Sequence, residues 1–210
     1  MIENRSTRFF DEQFRCQQKD VALKLNPFEE LALPYLNGDV LDYGCGMGNL
    51  AFAAAVRGCK VTAFDASPAA IEYIKTRAAA EGASVSASIA DLRHHQLTRQ
   101  YDCVVSIGLL MYFDCTTART VLSVMQSHVR PGGVAVINVL VKGTTYLEMF
   151  DPSGYCLFDP SAMQSAFTVW HIEHLEFADF EAPLCTMKRF CTIVARKPDA
   201  HVGGDANLSV

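Results

Sequence analysis

Asp42-Tyr43-Gly44-Cys45-Gly46-Met47-Gly48 joins a short apolar run, Asp39 to Tyr43, to a small-residue helical pattern that starts at Asn49. Gly44 and Gly46 let the backbone turn tightly and approach a ligand with no Cβ in the way. The helix that follows turns N–H groups and the positive end of its dipole toward the same place. Such a loop suits a nucleotide-like ligand, although by itself it is also what a close strand-to-helix turn requires. Two carboxylates sharpen the reading. Asp65, followed by Ala66, closes the next apolar run 21 residues after Gly44, the spacing at which an acidic side chain reaches a ribose hydroxyl pair. Asp91, followed by Leu92, stands where a third strand should end and can meet an adenine edge from the same side.

These residues require consecutive parallel strands to bring their carboxyl ends into line. Short apolar runs do alternate with helical patterns from Asp39 onward. Strands are expected at Asp39 to Tyr43, Lys60 to Phe64, Val85 to Ile89, Tyr101 to Ile107 and Val134 to Val141. Helices are expected at Asn49 to Val56, after Ser67-Pro68 with a stop at Gly82, and from Thr117 to Val129. Pro131-Gly132-Gly133 predicts a turn before the fifth strand. Alternation of this kind implies βαβ units with right-handed crossovers, a doubly wound α/β fold with a mostly parallel sheet. Thr168 to Glu176 and Thr186 to Ala195 have no convincing helix between them, so an antiparallel C-terminal hairpin is expected on one edge.

The cofactor class follows from departures within the loop. A dinucleotide fingerprint needs a third glycine three residues after Gly46, and position 49 is Asn. Asp42 at the loop entrance would repel a pyrophosphate and would welcome an ammonium group. S-adenosyl-L-methionine is favoured over NAD on both counts. Asp42-x-Gly44-x-Gly46-x-Gly48, Asp65, Asp91-Leu92 and Arg130-Pro131-Gly132-Gly133 resemble the successive motifs of class I S-adenosylmethionine-dependent methyltransferases, over roughly residues 30 to 197. The resemblance implies a seven-stranded Rossmann-like sheet whose last strand is antiparallel. It also implies that the Gly44, Cys45 and Gly46 region holds the methionine part, Asp65 and Ala66 the ribose side, Asp91 and Leu92 the adenine, and Ser106 and Ile107 the edge of strand four. A narrower resemblance, to the tellurite-resistance methyltransferases, rests on Arg99-Gln-Tyr-Asp102, Ser106-x4-Met111-x-Phe113, Met125-Gln126 and Arg189-Phe190-x-Thr192-x-x-Ala195-Arg-Lys197. The His-Arg pair that this family carries before its final strand has no counterpart around Phe177 to Lys188.

Methyl transfer from a sulfonium needs alignment and exclusion of water more than acid-base groups, and no triad or dyad stands out. Substrate-side candidates lie beyond strand ends: Tyr112, Tyr146 and Arg189, with Met149, Phe150, Tyr155 and Phe158 as a lid or as ordinary loop packing. His171 and His174, three apart on an expected strand, should point to opposite faces, which argues against a metal. With 18 Lys plus Arg against 23 Asp plus Glu, the net charge of −5 lacks the basic surplus of nucleic-acid binders. No run reaches the roughly 18 apolar residues of a spanning helix. The expected partner is a small molecule, with neither nucleic acid nor membrane, for a cytoplasmic monomer or homodimer. Eight cysteines without a Cys-x-x-Cys pair are expected to be reduced core residues. One domain over residues 1–197 is expected, with residues 1–25 as a helical cover and 198–210 as a disordered tail. The alternatives are an NAD-dependent oxidoreductase and a non-catalytic S-adenosylmethionine-binding protein.

Overall fold

The computed structural model describes residues 24–200. The expected helical cover lies almost wholly outside these residues, as does most of the expected tail.

The chain begins with α1 (Pro27–Ala32), which Asn26 opens by accepting from the amides of Phe28 and Glu29, while Glu29 reaches back to the Asn26 amide at 2.8 Å. A 3₁₀ turn, Leu33–Tyr35, leads into β1 (Asp39–Tyr43). Then come α2 (Asn49–Val56), β2 (Lys60–Asp65), α3 (Pro68–Glu81), β3 (Val85–Ile89) and β4 (Tyr101–Ile107). A second 3₁₀ turn, Leu110–Tyr112, precedes α4 (Cys115–Ser127), β5 (Val129–Leu140), α5 (Pro160–Ser165), β6 (His171–Ala182) and β7 (Thr186–Arg196). The seven strands form one sheet in the order β3-β2-β1-β4-β5-β7-β6. The first five are parallel, and β7 runs antiparallel to both β5 and β6. This is a doubly wound α/β fold with a mostly parallel sheet and an antiparallel C-terminal hairpin, as expected.

Alternate strand residues feed two hydrophobic layers. Leu41, Val104, Ile137, Val139 and Ile193 pack with Val121, Leu122 and Met125 of α4 on one face. Val40, Val61, Val105, Val136 and Val194 pack with Ala32, Leu36, Leu50 and Ala54 on the other. Both faces of the central strands are covered, so β5 from Val134 onward reads as a nearly continuous apolar run.

Four expectations are corrected. Helix α4 starts at Cys115 rather than Thr117, because the Asp114 carboxylate accepts from the amides of Thr116 and Thr117 and sets the cap there. Pro131-Gly132-Gly133 makes no turn. It lies inside β5, whose pairing with β4 shifts register between Tyr101 and Cys103 and so absorbs the irregular residues. A shift between Ile172 and His174 likewise undoes the opposite-face expectation for the two histidines. His171 pairs with Arg196 and His174 with Val194, positions two apart on β7 and therefore on one face. The fourth correction concerns the cysteines: Cys115 and Cys156 form a disulfide, while Cys45, Cys59, Cys103 and Cys191 are buried thiols as expected and Cys185 is an exposed one. No helix among the described residues is long and apolar enough to cross a membrane.

Away from the carboxyl ends of the strands, Asp102 ties three strand starts together. It accepts from the Asp39 amide at 2.8 Å and from the Arg130 guanidinium at 2.7 Å, and Arg130 also reaches Asp39. Burial pushes the Asp102 carboxyl up, but these partners hold it below the usual carboxylate range. Gly38 is required beside it, since a Cβ there would lie 2.2 Å from Asp102 Oδ2. The Arg99-to-Asp102 and Arg130 motifs are thus accounted for by strand alignment.

Candidate functional site

The parallel register sets the carboxyl ends of four strands in line. Asp42 pairs with Ala63 of β2 and Val105 of β4, Tyr43 with Phe64, and Asp65 with Ile89 of β3. The glycine loop leaves β1 by folding back on β2, where the amides of Gly44 and Cys45 both donate to the Phe64 carbonyl, at 2.8 and 3.1 Å. Gly44 (φ 88°) and Gly48 (φ 76°) occupy the left-handed region, and a Cβ at Gly48 would lie 2.9 Å from Ile74 Cγ1 of α3. The first turn of α2 receives no side-chain cap from Gly48, so its positive end is left to the loop and whatever lies in it.

Asp65 braces this loop. One carboxylate oxygen accepts from the Gly46 amide and the other from the Ser67 amide, each at 2.9 Å, so a single side chain joins the loop to the start of α3. Ala66 lies between them, half-buried. Asp42 is buried, and burial first, then the Glu29 and Asp65 carboxylates, pushes its pKa up to about 8. Burial first, then the Asp42 and Asp65 carboxylates, raises the Cys45 thiol well above its usual range. Leu92 is buried and accepts from the Tyr43 hydroxyl at 3.2 Å. Asp91 is exposed and held in a two-point ion pair by Arg93, which lowers its pKa. Ser106, at the end of β4, is fully buried with its hydroxyl oxygen unpartnered, and Ile107 is half-buried beside Asn138 of β5. All ten residues expected around the cofactor therefore cluster at the carboxyl ends of β1, β2, β3 and β4. Their surroundings fit an adenosine-bearing ligand with a cationic end: an uncapped helix start, a glycine loop, carboxylates, and a buried polar atom that the protein leaves unmatched.

The substrate-side candidates surround the long loop between β5 and α5. Tyr112 donates to Met149 Sδ at 3.3 Å and packs against Phe150, which stacks on Tyr155. Burial, and then Tyr146, raises the Tyr112 hydroxyl pKa, so these two phenols lie within electrostatic reach of each other. The Tyr146 ring lies under Lys188 Nζ at 4.7 Å. Arg189, on β7, forms a two-point ion pair with Asp179 at 2.8 and 2.7 Å and packs against Gly143. Phe158 belongs to the main core, bridged to Val141, and is not part of the aromatic cluster over Tyr112.

Sequence reading passed over three polar positions. Asn138 interrupts the apolar run of β5, donates to Thr192 Oγ1 at 2.8 Å, and leaves its Oδ1 buried and unpartnered. Asn49, noted only as a missing glycine, also has a buried unpartnered Oδ1. Glu29, in the first turn of α1, is the third: its charge reaches Asp42. A polar residue inside a buried apolar run was the available signal for Asn138.

A family model described as a methyltransferase domain matches residues 40–133. Hemagglutinin 1 of Eikenella corrodens is 27% identical over 165 residues, covering 75% of this chain and 54% of that protein. This chain spans about half or less of the length of the curated relatives it matches. Among solved structures, TehB from Haemophilus influenzae superposes with a TM-score of 0.73 at 19% identity, over 90% of this chain and 67% of that one. The N-methyltransferase NodS from Bradyrhizobium japonicum, in complex with S-adenosyl-L-homocysteine, gives 0.72 at 18% identity, over 93% and 100%. The match over residues 40–133 makes that part of the chain similar to methyltransferase domains, and the fold of the described residues is the one seen in solved methyltransferases, TehB among them.

Proposed function

We propose that this protein binds S-adenosyl-L-methionine at the carboxyl ends of β1 to β4 and transfers its methyl group to a small-molecule acceptor by direct displacement. The observation that carries the reading is the Asp65 brace: one carboxylate fixes both the glycine loop and the start of α3 at the place where a ribose would meet it. In this reading Asp42 faces the methionine ammonium, Gly44, Cys45 and Gly46 admit the methionine backbone, and the uncapped α2 start receives its carboxylate. Asp65 and Ala66 take the ribose side. Leu92 lines the adenine, Asp91 meets its edge with Arg93 as orienting partner, and Ser106 and Ile107 close the strand-four side.

The cofactor, when bound, supplies a methyl group already activated on a sulfonium. The chain then has to bind, orient and exclude water. Tyr112, Met149, Phe150 and Tyr155 form an apolar wall suited to that task, and Tyr146 and Arg189 are the polar groups available to orient an acceptor from the β7 side. The likeness in fold to the N-methyltransferase NodS supports a small acceptor. The absence of a basic surplus supports a partner other than nucleic acid, and a cytoplasmic monomer or homodimer is part of the same reading.

Calorimetry with S-adenosyl-L-homocysteine tests it. The wild-type chain should release heat with a single site, and Asp65→Ala should weaken binding at least about tenfold, through loss of two charge-assisted hydrogen bonds and the ribose contact. No heat from the wild type, together with thermal stabilisation by NADH, would replace this reading with the oxidoreductase one.

A further inference from the structure

We propose that Cys115–Cys156 is a thiol-reactive clasp that holds the acceptor-side loop shut and is opened by dithiol reductants. The inference about the clasp rests on the disulfide and its surroundings; its effect on turnover rests also on the function proposed above.

The bond joins the first residue of α4 to Cys156, near the C-terminal end of the loop between β5 and α5, across 41 residues of sequence. On either side of it the loop leans on the turn after β4. The Cys156 amide donates to the Met111 carbonyl at 3.0 Å, Tyr112 reaches Met149, and Phe150 stacks between Tyr112 and Tyr155. The loop's stems are fastened separately. Thr145 and Tyr146 donate to the Met187 carbonyl, and Phe158 donates to Leu140. Breaking the disulfide therefore leaves the stems and the sheet in place, while the segment between them keeps one backbone hydrogen bond to the turn and a set of ring contacts. Those contacts are weak individually. The clasp sits beyond the carboxyl ends of β4 and β5, at the end of the sheet where open α/β folds bind their ligands.

The two sulfurs differ in access. Cys156 is buried, at 1% exposed, and Cys115 is only half-buried. A thiolate of the reductant attacks Cys115 Sγ, forming a mixed disulfide, and Cys156 leaves as a thiolate that takes up a proton. The reductant's second thiol then attacks its own sulfur in that mixed disulfide. The reductant becomes a cyclic disulfide, and Cys115 is released as a thiolate at the N-terminus of α4, an end that favours negative charge. Two electrons pass from dithiol to protein. A low-molecular-weight disulfide, as oxidant, reverses the exchange. In reducing compartments paired cysteines are typically transient and responsive, and these two are the only paired ones among the described residues.

The test compares the full chain treated with glutathione disulfide and the same chain treated with dithiothreitol. Non-reducing peptide mapping should find Cys115 joined to Cys156 in the first and both as free thiols in the second. Amide hydrogen exchange over residues 147–157 should quicken at least about fivefold on reduction, on a timescale at which β1, β4 and β5 stay protected in both states. Cys115→Ser should show the fast exchange without reductant and lose the response, and Cys185→Ser should keep it. Reduction should change S-adenosyl-L-homocysteine affinity less than twofold. Equal protection over 147–157 in the oxidised and reduced wild type, or two free thiols after glutathione disulfide, overturns the proposal; neither readout depends on a variant folding. A protein that shows the exchange response and binds no S-adenosyl-L-homocysteine keeps the clasp and loses the methyltransferase reading.

Discussion

Asp42 carries the strongest electrostatic consequence at the residue scale. Its folded pKa of about 8 lies above the ordinary 3.8, so between these values the folded state holds a proton that the unfolded state has released. Stability falls as pH rises through that window and levels off above it. Asp42→Asn mimics the neutral acid and removes the loss. In the ligand-free protein it should be nearly neutral at pH 4 and stabilising by more than about 1 kcal/mol at pH 8 to 9, measured by urea denaturation at each pH. A cationic ligand beside Asp42 favours the ionised form, so S-adenosyl-L-methionine binding at pH 7 should release a proton. Calorimetric heats that vary with the ionisation enthalpy of the buffer would register it. Glu29 contributes to this shift from α1, a role that nothing in its capping-box position discloses.

At the element scale the joint between loop and helix is the sensitive part. Gly48 needs positive φ, and a Cβ there meets Ile74 of α3, which is itself fully buried. Gly48→Ala should cost about 1–3 kcal/mol by chemical denaturation, through backbone strain and overpacking together, and should weaken cofactor binding because Gly48 is the N-cap of α2. The element boundaries that sequence read correctly have local causes. Helix α3 starts where Ser67 accepts from the Ala70 amide and ends at Gly82 in the left-handed region. Of those read wrongly, the α4 start has a local cause in the Asp114 cap, and two others have distant ones. Strand β5 continues through Pro131-Gly132-Gly133 because β4 and β7 lie on either side of it, and the start of β6 changes face because its ladder with β7 shifts by one residue.

For the whole molecule, the disulfide is the one covalent tie between elements far apart in sequence among the described residues. Closing 41 residues of chain restricts the unfolded state by about 4 kcal/mol in the chain-entropy account. For a domain of this size that corresponds to a fall in Tm on the order of 10 °C on reduction. Scanning calorimetry with and without dithiothreitol measures it, and Cys115→Ser should give the lower value under both conditions.

The sequence by itself determined the strand-helix alternation, the glycine loop, the aspartates at successive strand ends and the antiparallel close, because each is written in residues adjacent along the chain. Apolar period, cap, proline and glycine act over a few positions, and parallel topology then brings the ends of β1, β2, β3 and β4 together without further instruction. Tertiary structure alone decided which groups those residues meet. Asp65 became a brace through the Gly46 amide, Asp91 was taken by Arg93 and Arg189 by Asp179, and the Asn138 amide was split between Thr192 and no partner. The cysteines show the division most plainly. Cys115 and Cys156 carry no spacing that marks them as a pair, and only the packing of the β5-α5 loop on the start of α4 brings their Cα atoms to 4.7 Å.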